Sequence, residues 1–263
     1  MSDAKRRWRL FVTPAASGPE NMALDEALMS AARAADEWIV RVYSWKTPTI
    51  SLGRNQSARG RYDLDQIRAL GLAVVRRPTG GRAILHDREI TYSVTAPTDG
   101  AGELLTSYAR VNALLVAALG LLGVDAEVAE GAERSRGVSP GMAPCFAEPS
   151  AGELTIGGRK LAGSAQWRTD GSLLQHGSIL VEDDQSVLVT LSLEPAANIP
   201  APATLSGALG RTPTASDVAG ALGRAIQIEE GAAPVPFVVD DVLRARTEAL
   251  IVRYLDDAWT WRR

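Results

Sequence analysis

Apolar residues recur at steps of three and four positions in two long stretches of the chain. The first covers residues 19 to 35 and the second residues 103 to 122, where Gly123 stands at the expected helix stop. A polar stretch at 63 to 70 and the segment from 240 to 261 are also helical in pattern. The spacing therefore predicts several helices, two of them long and amphipathic.

Shorter apolar runs between these helices predict strands. The segment from Trp38 to Trp45 alternates between two faces, which is typical of a strand buried on at least one side. Further short strands are expected at 49–52, 72–75, 84–85 and 90–94. Later in the chain, the Gly157–Gly158 and Asp170–Gly171 pairs separate three more strands, because such pairs favour tight hairpin turns. Strands and helices together predict an α+β fold with a mixed sheet and flanking helices.

Two segments show neither the helical spacing nor the alternation typical of a strand. Residues 130 to 152 are rich in Gly, Pro and Ser and are typical of a long loop, and residues 195 to 213 are rich in Pro and Ala and are also loop-like. A long loop inside a compact domain is more often functional than not. No repeat or linker divides the chain, so we expect one domain over residues 1–263, with a helical C-terminal extension over residues 214–263.

Composition narrows the function classes. Of 263 residues, 46% are hydrophobic and 22% charged, as in an ordinary globular protein, and the net charge of -3 argues against a general nucleic-acid or anionic-membrane binder. The apolar run near the start is too short for a signal-peptide core, and no stretch is long enough for a membrane span, so a cytoplasmic protein is expected. The single cysteine excludes an intramolecular disulfide and a multi-cysteine metal site.

Residues 76 to 81 combine two arginines with a Thr-Gly-Gly run. Glycine has no Cβ and permits positive φ, so Gly80 and Gly81 suit close approach of the backbone to a ligand, with Arg76 and Arg77 as cations. A tight turn between two strands, flanked by solvated arginines, explains the same residues equally well. The spacing is neither that of a phosphate-binding P-loop nor that of a dinucleotide fingerprint.

Cys145 and Lys160 are candidates for nucleophilic chemistry. Cys145 lies in a constrained Pro-Cys-Phe context in the first predicted loop. It is either an inert buried thiol or a nucleophile, and a nucleophile needs a nearby cation that lowers the thiol pKa. Lys160, which closely follows the Gly157–Gly158 turn, is either that cation or a solvated turn lysine.

Small residues and two histidines complete the candidates. The strand that begins at Lys160 continues with Gly163, Ser164 and Ala165, which indicates either close passage of a ligand chain or packing beneath a bulky neighbour such as Trp167. His86 precedes Asp87, and the two either orient one another or cap a turn. His176 is either a general base or a satisfied polar residue beside a glycine bend.

Four ordered motifs resemble the lipoate ligase and octanoyltransferase superfamily, which is also related to biotin protein ligases. The motifs are PENMALDEAL, PTISLGRNQ, RRPTGGRAILHDREITYSV, and GRKLAGSAQ followed by LQHGSIL, in that order from residue 19 to residue 180. The resemblance implies a mixed-sheet α+β domain of the biotin/lipoate protein ligase type. Arg82, where ATP-dependent lipoate ligases usually carry a third glycine, and CFAEPSAGEL around Cys145 are similar to the cysteine-dependent octanoyltransferases.

This resemblance implies transfer of an octanoyl group from acyl carrier protein to a lysine of a lipoyl-accepting protein, commonly the H protein of the glycine cleavage system. Cys145 is then expected to carry the octanoyl thioester, with ping-pong kinetics. Lys160, in the Gly-Arg-Lys motif, is expected to place positive charge near the thiolate and near the developing oxyanion. ATP, other cofactors and metals are not expected, because the acyl group arrives activated as a thioester.

The other motif residues are expected to bind substrate: Arg76, Arg77, Thr79, Gly80, Gly81, His86, Gly163, Ser164, Ala165 and His176. The glycines and other small residues are expected to line a narrow apolar slot for the acyl chain, and His86 to close or shape it. The two arginines meet the phosphopantetheine of the carrier, acidic side chains of a partner, or a nucleotide phosphate as in adenylate-forming relatives; the sequence leaves these three open.

Three other functions fit the resemblance. In an ATP-dependent lipoate ligase, Lys160 contacts an acyl-adenylate and Cys145 is incidental. An octanoyl amidotransferase also uses a cysteine, but its Cys-Pro-Gly run before the hairpin is missing from this sequence. A non-catalytic protein that binds lipoyl domains keeps the fold, although the presence of both Cys145 and Lys160 argues against it.

Overall fold

The computed structural model describes residues 6–98, 103–129, 152–183, 185–193 and 200–263. The strands are β1 (Trp8–Val12), β2 (Trp38–Tyr43), β3 (Thr49–Leu52), β4 (Ala73–Arg76), β5 (Ile84–His86), β6 (Glu89–Pro97), β7 (Glu127–Val128), β8 (Leu154–Ile156), β9 (Arg159–Thr169), β10 (Ser172–Leu180) and β11 (Val235–Pro236). The helices are α1 (Gly18–Ala35), α2 (Leu64–Ala69), α3 (Glu103–Leu121), α4 (Ser186–Leu191), α5 (Leu205–Leu209), α6 (Ala215–Glu230), α7 (Asp241–Leu255) and α8 (Asp257–Thr260).

The strands form two sheets. The larger has the order β11-β1-β2-β6-β10-β9-β8-β7, with β1 parallel to both of its neighbours and the other pairs antiparallel. The smaller has the order β4-β3-β5, with β3 parallel to β4 and antiparallel to β5. The predicted mixed sheet of an α+β fold is thus confirmed.

Helices α3 and α6 cover one face of the large sheet. Leu115 on α3 and Ile226 on α6 are buried with Val42 and Tyr92 from the central strands, in the largest apolar cluster of the described residues. Burial of such side chains stabilises the fold by about 25 cal/mol per Å² of apolar surface. This face is therefore the main core.

Helix α1 covers the opposite face, where it contacts β6, β10 and the C-terminal helix α7. Ser17 and Glu20 cap its first turn reciprocally, which satisfies backbone N–H groups that have no partner within the helix. Besides apolar residues such as Leu28, the helix buries Asp25. A buried carboxylate needs polar partners, and these are found at the candidate site.

The predicted long helices and both hairpins are confirmed, with ends within two residues of those expected. Strand β6 is longer than the predicted 90–94, because its backbone pairs with β2 on one side and β10 on the other. Helix α5 lies inside residues 195 to 213, so the loop predicted there is wrong at Leu205–Leu209, where Thr204 caps a helical turn. Residues 214–263 hold three helices, and also β11 at the edge of the large sheet.

Candidate active site

The Thr-Gly-Gly run lies in the loop between β4 and β5, and it packs against the backbone of Gly53. The Thr79 carbonyl accepts a hydrogen bond from the Arg54 N–H at 2.8 Å. A Cβ built on Gly53 would lie 1.9 Å from the Gly81 carbonyl oxygen. Gly81 has φ +98°, in the left-handed region, whereas no described atom lies within 4 Å of a Cβ built on Gly80. Close backbone packing thus requires Gly53 and the loop conformation favours Gly81, while Gly80 faces open space.

Arg77 holds this loop from inside. Its Nε and Nη2 donate to the Gly80 carbonyl at 3.2 and 2.8 Å, and Nη2 also donates to the Arg82 carbonyl at 2.7 Å. Its Nη1 donates to the Ser51 carbonyl and hydroxyl at 2.8 and 3.1 Å. Each of the five guanidinium donors therefore has an acceptor within the chain. Direct contact between Arg77 and a substrate, as predicted, would require one of these bonds to break.

Arg76 is also turned inward and is fully buried. Its Nε donates to the Thr260 carbonyl at 2.8 Å, and its Nη1 donates to the carbonyls of Gly53 and Gln56. Burial, with the charges of neighbouring arginines led by Arg262, lowers the pKa of Arg76 to about 10. The solvated arginines of the plain-turn interpretation are thus not found, since Arg76 ties the end of β4 to α8 and to the segment that follows β3.

His86 is buried between Trp45, which stacks on its ring at 4.0 Å between centroids, and Ser51. Because the Ser51 hydroxyl already accepts from Arg77, its own proton is available for His86 Nε2 at 2.8 Å. The other ring nitrogen then carries hydrogen and faces Glu89 Oε1 at 3.4 Å. Asp87, which the sequence offered as a partner, is exposed. His86 is thus packed in the interior and linked to Arg77 through Ser51, and its predicted role in shaping a pocket stays a prediction.

Asp25, His176 and Thr79 form a buried hydrogen-bonded row. His176 Nε2 lies 2.6 Å from the Thr79 hydroxyl, and Nδ1 lies 3.3 Å from Asp25 Oδ2. Asp25 also accepts hydrogen bonds from Arg41 at 2.7 Å and from Tyr43 at 2.8 Å. The predicted substrate-binding residues Thr79 and His176 are thus brought together, and the row continues to α1 through a carboxylate that the sequence analysis missed.

The charges within this row follow from burial and pairing. Burial lowers the pKa of His176, although the hydrogen bond and charge of Asp25 partly oppose it, so the ring is neutral. For Asp25, burial alone favours the neutral acid, but the charge of Arg41 and the bonds from His176 and Tyr43 outweigh it and lower the pKa. The carboxylate therefore accepts from Nδ1–H, and Nε2 accepts the Thr79 hydroxyl proton.

The three small residues of β9 lie on opposite faces of the sheet. Gly163 pairs with Ser178, and Ala165 pairs with His176, so both lie on the face towards the Thr-Gly-Gly loop. Ser164 lies on the other face, where its hydroxyl is 2.6 Å from Tyr92 Oη. Only Gly163 and Ala165 of the three are therefore placed to line a slot beside the loop.

Lys160 forms a buried ion pair with Glu153, a residue that the sequence analysis missed. Its Nζ lies 2.7 Å from Glu153 Oε1, and the two side chains are 1% and 4% exposed. The interpretation as a solvated turn lysine is therefore wrong, because the side chain is buried. The available signal was an acidic residue just before the Gly157–Gly158 hairpin and a lysine just after its turn, although the register pairs Lys160 with Thr155.

The ion pair and the histidine row lie at different points along β9. Ala165, the partner of His176, lies five residues beyond Lys160, roughly 16 Å at about 3.3 Å per residue. Gly163 lies between them. Cys145 falls outside the described residues, so its predicted position beside Lys160 stays a prediction. No group of three potential metal ligands occurs among the residues described, and none of the helices described there is long and apolar enough to cross a membrane.

The two sheets, with the Thr-Gly-Gly loop beside the β9–β10 hairpin, define the fold class of lipoate protein ligase catalytic domains. The solved structure of a lipoate-protein ligase A bound with ATP matches with a TM-score of 0.78, covering 98% of each chain at 23% identity. At that identity the likeness concerns the fold.

The chain belongs to the lipoyl protein ligase A/B catalytic domain family, whose model matches residues 17–227. The octanoyltransferase LipM of Symbiobacterium thermophilum is 41% identical over 227 residues, which cover 85% of this chain and 81% of that protein. The octanoyltransferase LipM of Kyrpidia tusciae is 38% identical over 277 aligned residues, which cover 97% of this chain and 99% of that protein. The family resemblance of the four motifs is thus confirmed.

Proposed function

We propose that this chain transfers an octanoyl group from octanoyl-acyl carrier protein to a lysine of a lipoyl-accepting protein, through a thioester on Cys145. The similarity to proteins named octanoyltransferase, along almost the whole length of both chains in one case, carries the proposal. At the coarser level, the chain is an acyltransferase of the octanoyltransferase type that acts in lipoate biosynthesis. The donor, the acceptor and the thioester are the proposed part.

The reaction has two steps. Cys145 loses its proton, and the thiolate attacks the carbonyl carbon of the donor thioester; a new S–C bond forms, the donor S–C bond breaks, and the donor leaves as a thiolate that takes up the proton released by Cys145. The amine of the acceptor lysine then attacks the acyl-enzyme; an N–C bond forms, the Cys145 S–C bond breaks, and the thiolate recovers a proton that the amine loses. The acyl group arrives as a thioester and is held as a thioester on Cys145, so it is already activated for attack by the amine and the reaction needs neither ATP nor a metal.

Lys160 is the cation of this mechanism. The ammonium is buried, where charge acts more strongly than in water. In both steps negative charge develops on the carbonyl oxygen, and an ammonium held close to it lowers the barrier. Lys160 lies on strand β9, so its charge is held in place by the sheet instead of lying at a flexible surface position.

The acyl chain is proposed to lie between the Thr-Gly-Gly loop and β9. Gly80 leaves open space on the loop side, and Gly163 and Ala165 present little side chain on the strand side. Thr79 joins the loop by a hydrogen bond to His176 on β10, the residue that pairs with Ala165 on β9. Arg77 supports the loop through the Gly80 carbonyl, and Arg76 supports the neighbouring Gly53 segment, which makes both arginines indirect contributors to binding.

The acceptor is proposed to be the H protein of the glycine cleavage system or another lipoyl domain. Nucleic acid and membrane are not proposed partners. The cytoplasmic location stays a prediction.

The test is the intact mass of the protein after incubation with octanoyl-acyl carrier protein without ATP, for wild type and Cys145→Ala. The expected result is one octanoyl adduct on wild type alone, removed by hydroxylamine, and its transfer to added H protein. An adduct that also forms on Cys145→Ala would refute the thioester. Acceptor modification only with ATP and free acid would establish a ligase instead, and transfer only from octanoylated H protein would establish an amidotransferase. Binding of H protein without any transfer would establish a non-catalytic binding protein.

A further inference from the structure

The ion pair between Glu153 and Lys160 is unusual because both charges are removed from water. The two atoms are 2.7 Å apart, and neither side chain is more than 4% exposed. A buried charge without a partner is costly, so this ion pair offsets part of the cost of burying both side chains.

Stability alone is a weak reason for such a pair. Two apolar side chains of similar volume often stabilise a buried position as well as an ion pair does, because desolvation offsets the attraction between the charges. The Lys160 charge is used by the proposed function. The presence of a glutamate at position 153 is therefore explained by its effect on Lys160.

The backbone of Glu153 is held independently of its side chain. Its carbonyl accepts from the Ala129 N–H at 2.7 Å, and the N–H of the preceding Gly152 donates to the Ala129 carbonyl at 3.1 Å. The Asn112 side chain donates to the Gly152 carbonyl. The carboxylate thus reaches Lys160 from a fixed point, and replacing it by an amide leaves these backbone bonds in place.

We infer that Glu153 is a positioning residue for Lys160, an inference that rests on the proposed function of that lysine. Its carboxylate lies 2.7 Å from Lys160 Nζ and occupies one of the three N–H donors, which fixes the direction in which the side chain points. Glu153 does not touch the substrate. It acts on the reaction only through Lys160.

The test is a double-mutant cycle with Glu153→Gln, Lys160→Gln and the double variant, measured as the rate of octanoyl transfer. Glu153→Gln lowers kcat by ~10-fold or more, with KM for each protein substrate changed by less than about 3-fold. In the Lys160→Gln background the same substitution changes the remaining rate by less than about 2-fold, because residues that act as a unit are not additive. Glu153→Asp, which keeps the charge, recovers part of the loss.

Glu127→Gln is the matched control, since Glu127 is exposed on the neighbouring strand β7. It leaves kcat unchanged. An unchanged kcat in Glu153→Gln, or losses that multiply in the double variant, would overturn the inference. If circular dichroism shows that Glu153→Gln is unfolded, Glu153→Asp decides: a slower kcat at unchanged KM supports the positioning role, and the wild-type kcat overturns it.

Failure of the proposed function is separate and is seen in the wild type. If wild type transfers an acyl group only with ATP and free octanoate, the carrier-protein reaction is refuted. The same variants are then compared in the ATP-dependent reaction, where the coupling between Glu153 and Lys160 supports or overturns the positioning role by the same criteria.

Discussion

The close packing of Gly53 against the Thr-Gly-Gly loop makes Gly53→Ala a sharp test of the site. The new Cβ would lie 1.9 Å from the Gly81 carbonyl oxygen, and contacts shorter than 3.0 Å do not occur, so the loop or strand β3 must move by more than 1 Å. The atom in the way is backbone, which cannot rotate aside. Overpacking of this kind costs about 1–3 kcal/mol of unfolding free energy.

The same movement displaces the wall proposed for the acyl chain. The loop is held by the Arg54 N–H at Thr79 and by Arg77 at Gly80, and both bonds must stretch when Gly81 retreats. A 1 Å misplacement of a positioning group can reduce kcat/KM by ~100-fold. We therefore expect Gly53→Ala to lose both stability and kcat/KM for the acyl donor.

The assay combines urea unfolding, followed by circular dichroism, with initial rates of octanoyl transfer. Gly120→Ala is the control, because Gly120 is exposed on α3 with no described atom within 4 Å of its added Cβ. That change is expected to stabilise the protein by about 0.5–1 kcal/mol, as helical Gly→Ala changes do. If Gly53→Ala keeps the wild-type unfolding midpoint and kcat/KM, the close contact between Gly53 and Gly81 is refuted.

Two further predictions concern the Asp25–His176–Thr79 row. Thr79→Val removes the hydroxyl and leaves His176 Nε2 buried without a donor. We therefore expect the free energy of unfolding in urea to fall by about 1–3 kcal/mol and KM for the acyl donor to rise, with recovery of both in Thr79→Ser. Equal stability of the Val and Ser variants would contradict this. The pKa of His176 is lowered in the folded state, so below about pH 6.5 the unfolded chain binds a proton that the folded chain does not. The stabilisation is therefore present above that pH and is lost as pH falls, by up to about 1.4 kcal/mol of unfolding free energy per pH unit. The lowered pKa of Asp25 adds a loss in the same direction at lower pH. Thermal unfolding between pH 4 and 8 checks it, and a melting temperature that His176→Gln leaves with the same pH dependence would contradict the assignment.

Most of the elements around the site were predictable because their signals are local. The spacing of apolar residues predicted α1 and α3, and the paired turn glycines predicted the β8–β9 hairpin that carries Lys160. Strands β1 and β11 were missed, because a short parallel edge pair has no turn that joins its members in sequence. Helix α5 was missed because a single capped turn within a Pro/Ala-rich segment has too few residues to establish a period.

The sequence named the candidate residues, but it did not indicate the direction in which each side chain points. The two arginines were expected to meet a ligand, whereas their donors are directed at backbone carbonyls of the chain. A guanidinium binds a carbonyl and a phosphate through the same N–H groups, so residue type alone does not separate these roles. That Cys145 is the nucleophile, and that the reaction needs no cofactor, stay predictions that the intact-mass experiment tests.

By itself, the sequence determined the long helices, the hairpins, the order of four family motifs and hence the family, because these depend on residues close together along the chain. Only the tertiary structure decided that Asp25 meets His176, 151 residues away, and that Thr79 completes the row. It also turned Ser164 away from the loop and placed Glu153 against Lys160. The physical reason is that contacts between distant segments are set by strand register and core packing, which local patterns constrain but do not specify.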